Sequence, residues 1–238
     1  MYIVKNSKQG QIELALKSAL NRERTRDARR HQILDAALDS ISENGLSDTT
    51  LATVAKKAGL SQASLVFHFK SKDALLTEAL RSLNDQYDNS WKEALKNADD
   101  HPVDRICKMI EAYFHSSVCS RKRIGVWFAF WGEAKAQPMY LQICGDGDQE
   151  RCDVMTRECA RLLELIGEST EGAEDVAIMI DGLCDGLMQS LLINYKEFGR
   201  KDAMRIAFGQ LVRLFPSFED MIQVYADRAL APAKRKAS

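Results

Sequence analysis

The chain has 238 residues, 45% hydrophobic and 28% charged, enough for one large cored domain or two smaller ones. Four prolines and thirteen glycines suit a mostly helical chain, and a net charge of −1 by itself argues for no partner. No apolar run is expected to reach the roughly 18–20 residues of a membrane span, so no membrane partner is expected.

Charge is unevenly placed. Residues 1–72 carry twelve Lys/Arg against seven Asp/Glu, and the remainder carries 21 against 27. A basic N-terminal part on an acidic body is an electrostatic footprint of nucleic-acid binding. Residues 1–24 read as a basic extension in which Ile12, Leu16, Ala19 and Leu20 allow a short helix. A firmer helix is expected from Thr25, with Ile33, Leu34, Ala37, Leu38 and Ile41 on one face. Asn44-Gly45 should end it. The arginines at 22, 24, 26, 29 and 30 either reach DNA or form a solvated helix face.

Next comes "SDTTLATVAKKAGLSQASLVFHF". Thr49 or Thr50 can cap a helix from Leu51 to about Ala58, Gly59 fits a tight turn, and Ser61 can cap a helix from Gln62 to about His68. Two short helices joined by a glycine-containing turn form a helix-turn-helix. Val54, Ala58, Leu60 and Leu65 should point inward and leave Ser61, Gln62 and Ser64 outward. Such a second helix is built to lie in the major groove of DNA.

From Asp73 the chain reads as long helices over 73–97, 103–118, 121–136, 138–166, 173–198, 201–214 and 217–229, with a disordered tail at 231–238. No alternating strand pattern is evident, so the fold class is all-α. "CGDGDQERC", Cys144 to Cys152, reads as a polar loop or helix start; it lacks the ligand spacing of a calcium loop. The six cysteines form no C-x-x-C and read as reduced, buried thiols of a cytoplasmic protein.

The segment Ile33 to Leu76 resembles, without a gap, the N-terminal domain of the TetR family of transcriptional regulators. The likeness rests on Ala36-Ala37, Gly45, Thr49-Thr50, Val54-Ala55, Ala58-Gly59-Leu60-Ser61, His68-Phe69 and Lys72. It implies a three-helix DNA-binding unit, here 25–72, followed by a helical effector-binding and dimerisation domain, here 73–230. The family usually has a phosphate-touching tyrosine where this sequence has Val66. "WFAFWGEAKAQPMYLQI" and "MIDGLCDGLMQSLL" are similar to the C-terminal domain of BetI-type repressors, which govern choline and glycine betaine metabolism.

The expected DNA-contacting set is Thr50, Ser61, Gln62, Ala63, Ser64, Phe67, His68 and Lys72. Gln62 leads it because its amide can bond adenine in a bidentate way. The other reading of these residues is caps and surface polar groups. Tyr113, Trp127, Phe130 and Trp131, with Asp181 and Asp185, are the expected ligand set. Aromatic faces with nearby carboxylates can cage a quaternary ammonium, and the same stripe can be plain core. No Gly-rich phosphate loop, G-x-S-x-G or paired-His motif occurs, so no catalysis, cofactor or metal is expected. The sequence thus points to a repressor that binds operator DNA as a homodimer and is released by a small molecule, with a quaternary amine as candidate. Two rivals stay open: a DNA-binding regulator without a ligand, and a small-molecule-binding protein or enzyme with a vestigial reading head. The apolar faces Val176, Ile180, Leu183, Leu187, Leu191 and Met204, Ala207, Leu211, Leu214 suggest an intersubunit four-helix bundle.

Overall fold

The computed structural model describes residues 3–133 and 136–230; of residues 3–20 and residue 22 it describes the backbone alone. Ten α-helices make up the described residues, with two 3-10 turns and no strand. They are α1 (Ile3–Asp48), α2 (Leu51–Lys57), α3 (Gln62–His68), α4 (Lys72–Lys96), α5 (Pro102–Tyr113), α6 (Arg121–Gly132), α7 (Gln137–Leu165), α8 (Ala173–Ile193), α9 (Arg200–Leu214) and α10 (Glu219–Leu230). Two compact units meet at Ala79 and Leu80, within α4. The expected tail at 231–238 lies outside the described residues.

In the first unit, α1 is one helix rather than two. No proline and no glycine interrupts residues 11–44, and Arg, Glu, Gln and Ala carry the helix through the expected break at low cost. The helix stops where expected: Gly45 leaves helical geometry, at φ 77° and ψ 176°, and only a short turn to Asp48 follows the kink. Ile33, Ala37, Leu38 and Ile41 are buried here beside Val54, Ala55, Leu65 and Phe69. Each such side chain contributes roughly 1.5–3 kcal/mol on burial. Thr49 is fully buried; its hydroxyl donates to the Gly45 carbonyl (2.8 Å) and lies 3.1 Å from Ser40 Oγ.

The second unit is a helical bundle around Ile106, Phe114, Leu162, Ile180, Phe208 and Phe215. Helix α5 starts on Pro102, with His101 Nδ1 accepting from the Val103 amide, and buries Val103, Ile106, Cys107 and Ile110. It stops at Tyr113, five residues short of expectation. There His115 Nδ1 lies 2.6 Å from Ser117 Oγ, and the His115 carbonyl accepts from the Cys119 amide. Local side-chain bonds of this kind compete with the helical ladder. Helix α8 likewise ends at Ile193, where the Asn194 carbonyl takes the Glu197 and Phe198 amides into a turn. Cys144 to Cys152 is no loop but the middle of α7. Gly147 leaves room there for the Asp88 carboxylate, which a Cβ at this position would meet at 2.7 Å.

Two further expectations change. The segment Thr170–Ile193 is long and apolar enough, by length and composition alone, to cross a membrane; Asp181 and Asp185 interrupt the run in the sequence without lowering its mean hydropathy enough. The proposed bundle faces also divide. Ile180, Leu187, Leu191, Ala207 and Leu211 are buried within the chain itself, because α8 and α9 pack on each other and on α7 and α5. Val176, Leu183, Met204 and Leu214 are only half-buried, and Ile178, Met179 and Ile193 are exposed.

Glu158 is buried to 1% exposure and accepts from Arg105 Nε and Arg161 Nη1, both at 2.8 Å, which ties α5 to α7. Glu158→Ala is expected to lower stability by about 3 kcal/mol, since removing one partner of a buried pair strands the others. Urea unfolding measures it; a loss under about 0.5 kcal/mol would mark the pair as merely surface-like.

Candidate functional site

Two constellations stand out, one in each unit. In the first, Thr50 caps α2, its Oγ1 accepting from the Thr53 amide at 3.1 Å. Gly59 turns the chain at φ 65°, a conformation glycine adopts without strain, and the Leu60 amide bonds the Ala55 carbonyl at 2.9 Å. Ser61 Oγ then caps α3 by accepting from the Ser64 amide. Gln32 Nε2 donates to the Ala58 carbonyl (2.7 Å) and braces the turn from α1. Leu65 and Phe69 anchor α3, while Ser61, Gln62, Ala63, Val66 and Phe67 are exposed, Phe67 by 68%. Ser64 and His68 are half-buried, as is Leu60, which was expected inside. The Lys72 ammonium donates to the Ser47 carbonyl at 2.8 Å, which leaves two of its protons for another acceptor. Phe67 stands edge-on to His68 at 5.4 Å.

The second constellation is a cavity of about 280 Å³ lined by Tyr87, Tyr113, Val118, Trp127, Trp131, Tyr140, Asp148, Arg151, Asp185 and Met188. Trp127 and Trp131, one turn apart on α6, stack at 6.1 Å and 26°. Tyr140 stands edge-on to both at 6.3 Å. Tyr87 closes the ring, 6.4 Å from Trp127 and 5.8 Å from Tyr113. Two phenol–carboxylate pairs flank these faces: the Tyr140 hydroxyl donates to Asp148 Oδ2 at 2.7 Å, and the Tyr113 hydroxyl donates to Asp185 Oδ1. Burial pushes both carboxyls above their ordinary range, although the phenols and Arg151 pull the other way. Burial also holds Tyr87 and Tyr113 firmly protonated, so the phenols act as donors.

Of the expected ligand set, Tyr113, Trp127, Trp131 and Asp185 come together on this wall. Phe130 does not. It is fully buried in the core and is not part of the cavity wall. Asp181 sits outside the cavity lining and takes Arg151 Nη1 at 2.7 Å. Sequence reasoning missed Tyr87, Tyr140, Asp148 and Arg151. The signal was present in part: residues 140, 144, 148 and 151 form one stripe of α7, hidden because the glycines suggested a loop. Burial pushes Cys119, Cys144 and Cys159 up to about 12, so these thiols are unreactive at neutral pH. Among the described residues no group of three or more His, Cys, Asp or Glu could hold a metal ion.

Comparison with known proteins gives two family matches. Residues 33–79 match the bacterial regulatory proteins of the tetR family, and residues 102–216 match the BetI-type transcriptional repressor C-terminal domain. The HTH-type transcriptional regulator BetI of Stenotrophomonas maltophilia (strain R551-3) is 31% identical over 183 residues, 77% of this chain and 91% of that protein. The one from Serratia proteamaculans (strain 568) is 30% identical over 156 residues, 65% of this chain and 78% of that protein. Among solved structures, a transcriptional regulator from Pseudomonas aeruginosa PAO1 superposes with a TM-score of 0.68 at 21% identity, covering 82% of this chain and 94% of its own. A transcriptional regulator from Saccharomonospora viridis in complex with choline gives 0.65 at 20% identity, covering 79% and 96%. At these identities the two structures speak to the fold.

Proposed function

Since the chain belongs to the TetR family of transcriptional regulators, with a BetI-type C-terminal domain, we propose that it is a repressor that binds operator DNA as a homodimer and releases it when a quaternary amine enters the aromatic cavity. The observation that carries this reading is the cavity itself: five aromatic side chains around a space bordered by two carboxylates. A quaternary ammonium has no N–H donors, so a salt bridge alone selects poorly for it; aromatic faces select by cation–π attraction. The choline bound to the Saccharomonospora viridis relative supports the ligand class. Residues 25–72 serve as the reading head and 73–230 as the effector and dimerisation domain, in a cytoplasmic protein with no catalytic role.

The stripe Met179, Gly182, Leu183, Gly186, Ser190 and Ile193 of α8, exposed but for the half-buried Leu183 and Ser190, is the proposed contact between subunits. Its glycines allow a partner helix to approach closely. Ligand binding shifts the relative placement of two reading heads, and operator affinity falls as far as the ligand prefers the DNA-incompetent state.

In the head, Gln62 and Phe67 are proposed to meet base edges and Lys72 a phosphate. Gln62→Ala is expected to weaken operator binding by about 1–3 kcal/mol and relax preference at one base position. Lys72→Ala should weaken all duplexes evenly and flatten the salt slope by about one. Titration against a duplex recovered by selection from a random pool measures both; wild-type behaviour of both variants would remove this assignment. The whole reading is tested by adding choline to the protein–operator complex, which should free the DNA.

A further inference from the structure

Helix α1 runs unbroken from Ile3 to the kink at Gly45, about 63 Å at 1.5 Å per residue. Buried positions in it begin at Ile33, and residues 23–29 are exposed. The stripe that packs the head runs through Ile33, Ala37, Ser40 and Ile41. Continued toward the N-terminus at steps of three and four, that stripe carries Arg30, Arg29 and Arg26. The side of α1 that faces the rest of the head therefore changes from apolar to cationic where the head's own packing ends.

Arg30 shows where this face leads. Its Nη2 bonds Glu78 at 2.7 Å, and its guanidinium lies 4.7 Å over the ring of Phe69, the residue that follows α3. Arg29 and Arg26, next on the stripe, lie near the last turn of the recognition helix. The His68 imidazole there is shifted toward its neutral form by burial and then by the charges of Arg26, Arg30 and Arg29. Arg29 bonds Gln32 Oε1 at 2.9 Å; among the described residues neither Arg26 nor Arg29 is paired with a carboxylate. Residues 1–30 hold eight Lys/Arg against three Asp/Glu.

We propose that Arg26 and Arg29 grip the DNA backbone beside the recognition helix, making α1 a second DNA-contacting element outside the helix-turn-helix. The partner is duplex phosphate rather than an acidic protein surface, because the cationic stripe leads to Phe69 and His68 at the end of the recognition helix, beside the exposed Phe67. A guanidinium fits phosphate in a bidentate way, and such contacts set register and affinity without reading sequence. The inference rests on the reading of α3 as the recognition helix.

The test is the salt dependence of binding to a random-sequence duplex of about 40 bp, where phosphate contacts dominate. Arg26→Ala/Arg29→Ala should make the slope of log K on log salt shallower by about one to two and lower affinity roughly tenfold near 0.1 M salt. Its melting temperature should match the wild type, both residues being exposed. Arg26→Lys/Arg29→Lys keeps the charges and should keep most of the slope. Wild-type slope and affinity in the alanine variant would overturn the proposal, as would equal loss in the lysine variant. A wild-type protein that binds no duplex would instead sink the reading head, and the arginine contacts with it.

Discussion

Leu187→Asp is expected to unfold the effector domain rather than to separate subunits, while Met179→Asp should separate subunits and spare the fold. Both residues lie on α8 and both are apolar. Leu187 is 7% exposed within its own chain, and Met179 is 46% exposed. A carboxylate forced into the position of Leu187, in the apolar core, loses its hydration. The cost, about 3–5 kcal/mol, is a large share of the roughly 5–15 kcal/mol that holds a domain together. At Met179 the same carboxylate stays hydrated in the free subunit. It is buried only if α8 meets its counterpart, so the penalty falls on association. Thermal melting by circular dichroism and sedimentation velocity separate the two effects. Leu187→Asp should lose its cooperative transition or melt far lower, and Met179→Asp should melt near the wild type yet sediment as a monomer. Operator affinity should fall in Met179→Asp, since a lone head engages one half-site. A dimeric Met179→Asp protein at micromolar concentration would move the interface off this stripe of α8.

A second large effect is expected from ligand charge. Choline or betaine aldehyde should raise the melting temperature and release operator DNA. A neutral analogue carrying a tert-butyl group should bind about thirtyfold more weakly, the equivalent of a desolvated cation–π contact of about 2 kcal/mol. Trp131→Leu should lose the response and keep DNA affinity, because it leaves the head untouched. The response should also depend on pH in a defined direction. Asp148 and Asp185 have carboxyls raised by burial, so the folded, ligand-free protein holds protons that the unfolded chain has released. Stability of the free protein therefore falls as pH rises through this window, between the ordinary carboxylate value and the raised one. A bound cation favours the ionised forms. Its affinity, and the rise in melting temperature that it causes, should grow over the same window and shrink in acid. Equal binding of the neutral analogue, or a ligand effect independent of pH from 4 to 7, would return these aromatics to plain packing.

Local signals made the reading head legible. Thr50 and Ser61 are hydroxyls that can accept from an amide three residues on, and Gly59 takes a backbone angle that glycine adopts without strain. Each of these is settled within a few residues of its own position, so the helix-turn-helix and its exposed face could be read directly. The long helices of the second unit were also legible as apolar periodicities. Their ends were not, because His115 with Ser117, and Asn194, divert the backbone through bonds that a periodicity does not register.

The cavity was readable only in fragments. Trp127 and Trp131 share one helix and could be paired by spacing, but Tyr87, Tyr113, Tyr140, Asp148 and Asp185 come from α4, α5, α7 and α8. Which of these meet depends on how the helices pack, and spacing along one helix carries no such information. The same limit applies to the apolar faces of α8 and α9. A periodicity announces that a stripe must be covered, as it did for Leu187, which is buried, and Leu183, which is only half-buried, alike. Whether the cover is the chain's own α5 and α7 or something beyond the chain is decided by the packing of the other helices, since the hydrophobic effect is indifferent to the identity of the surface that excludes the water.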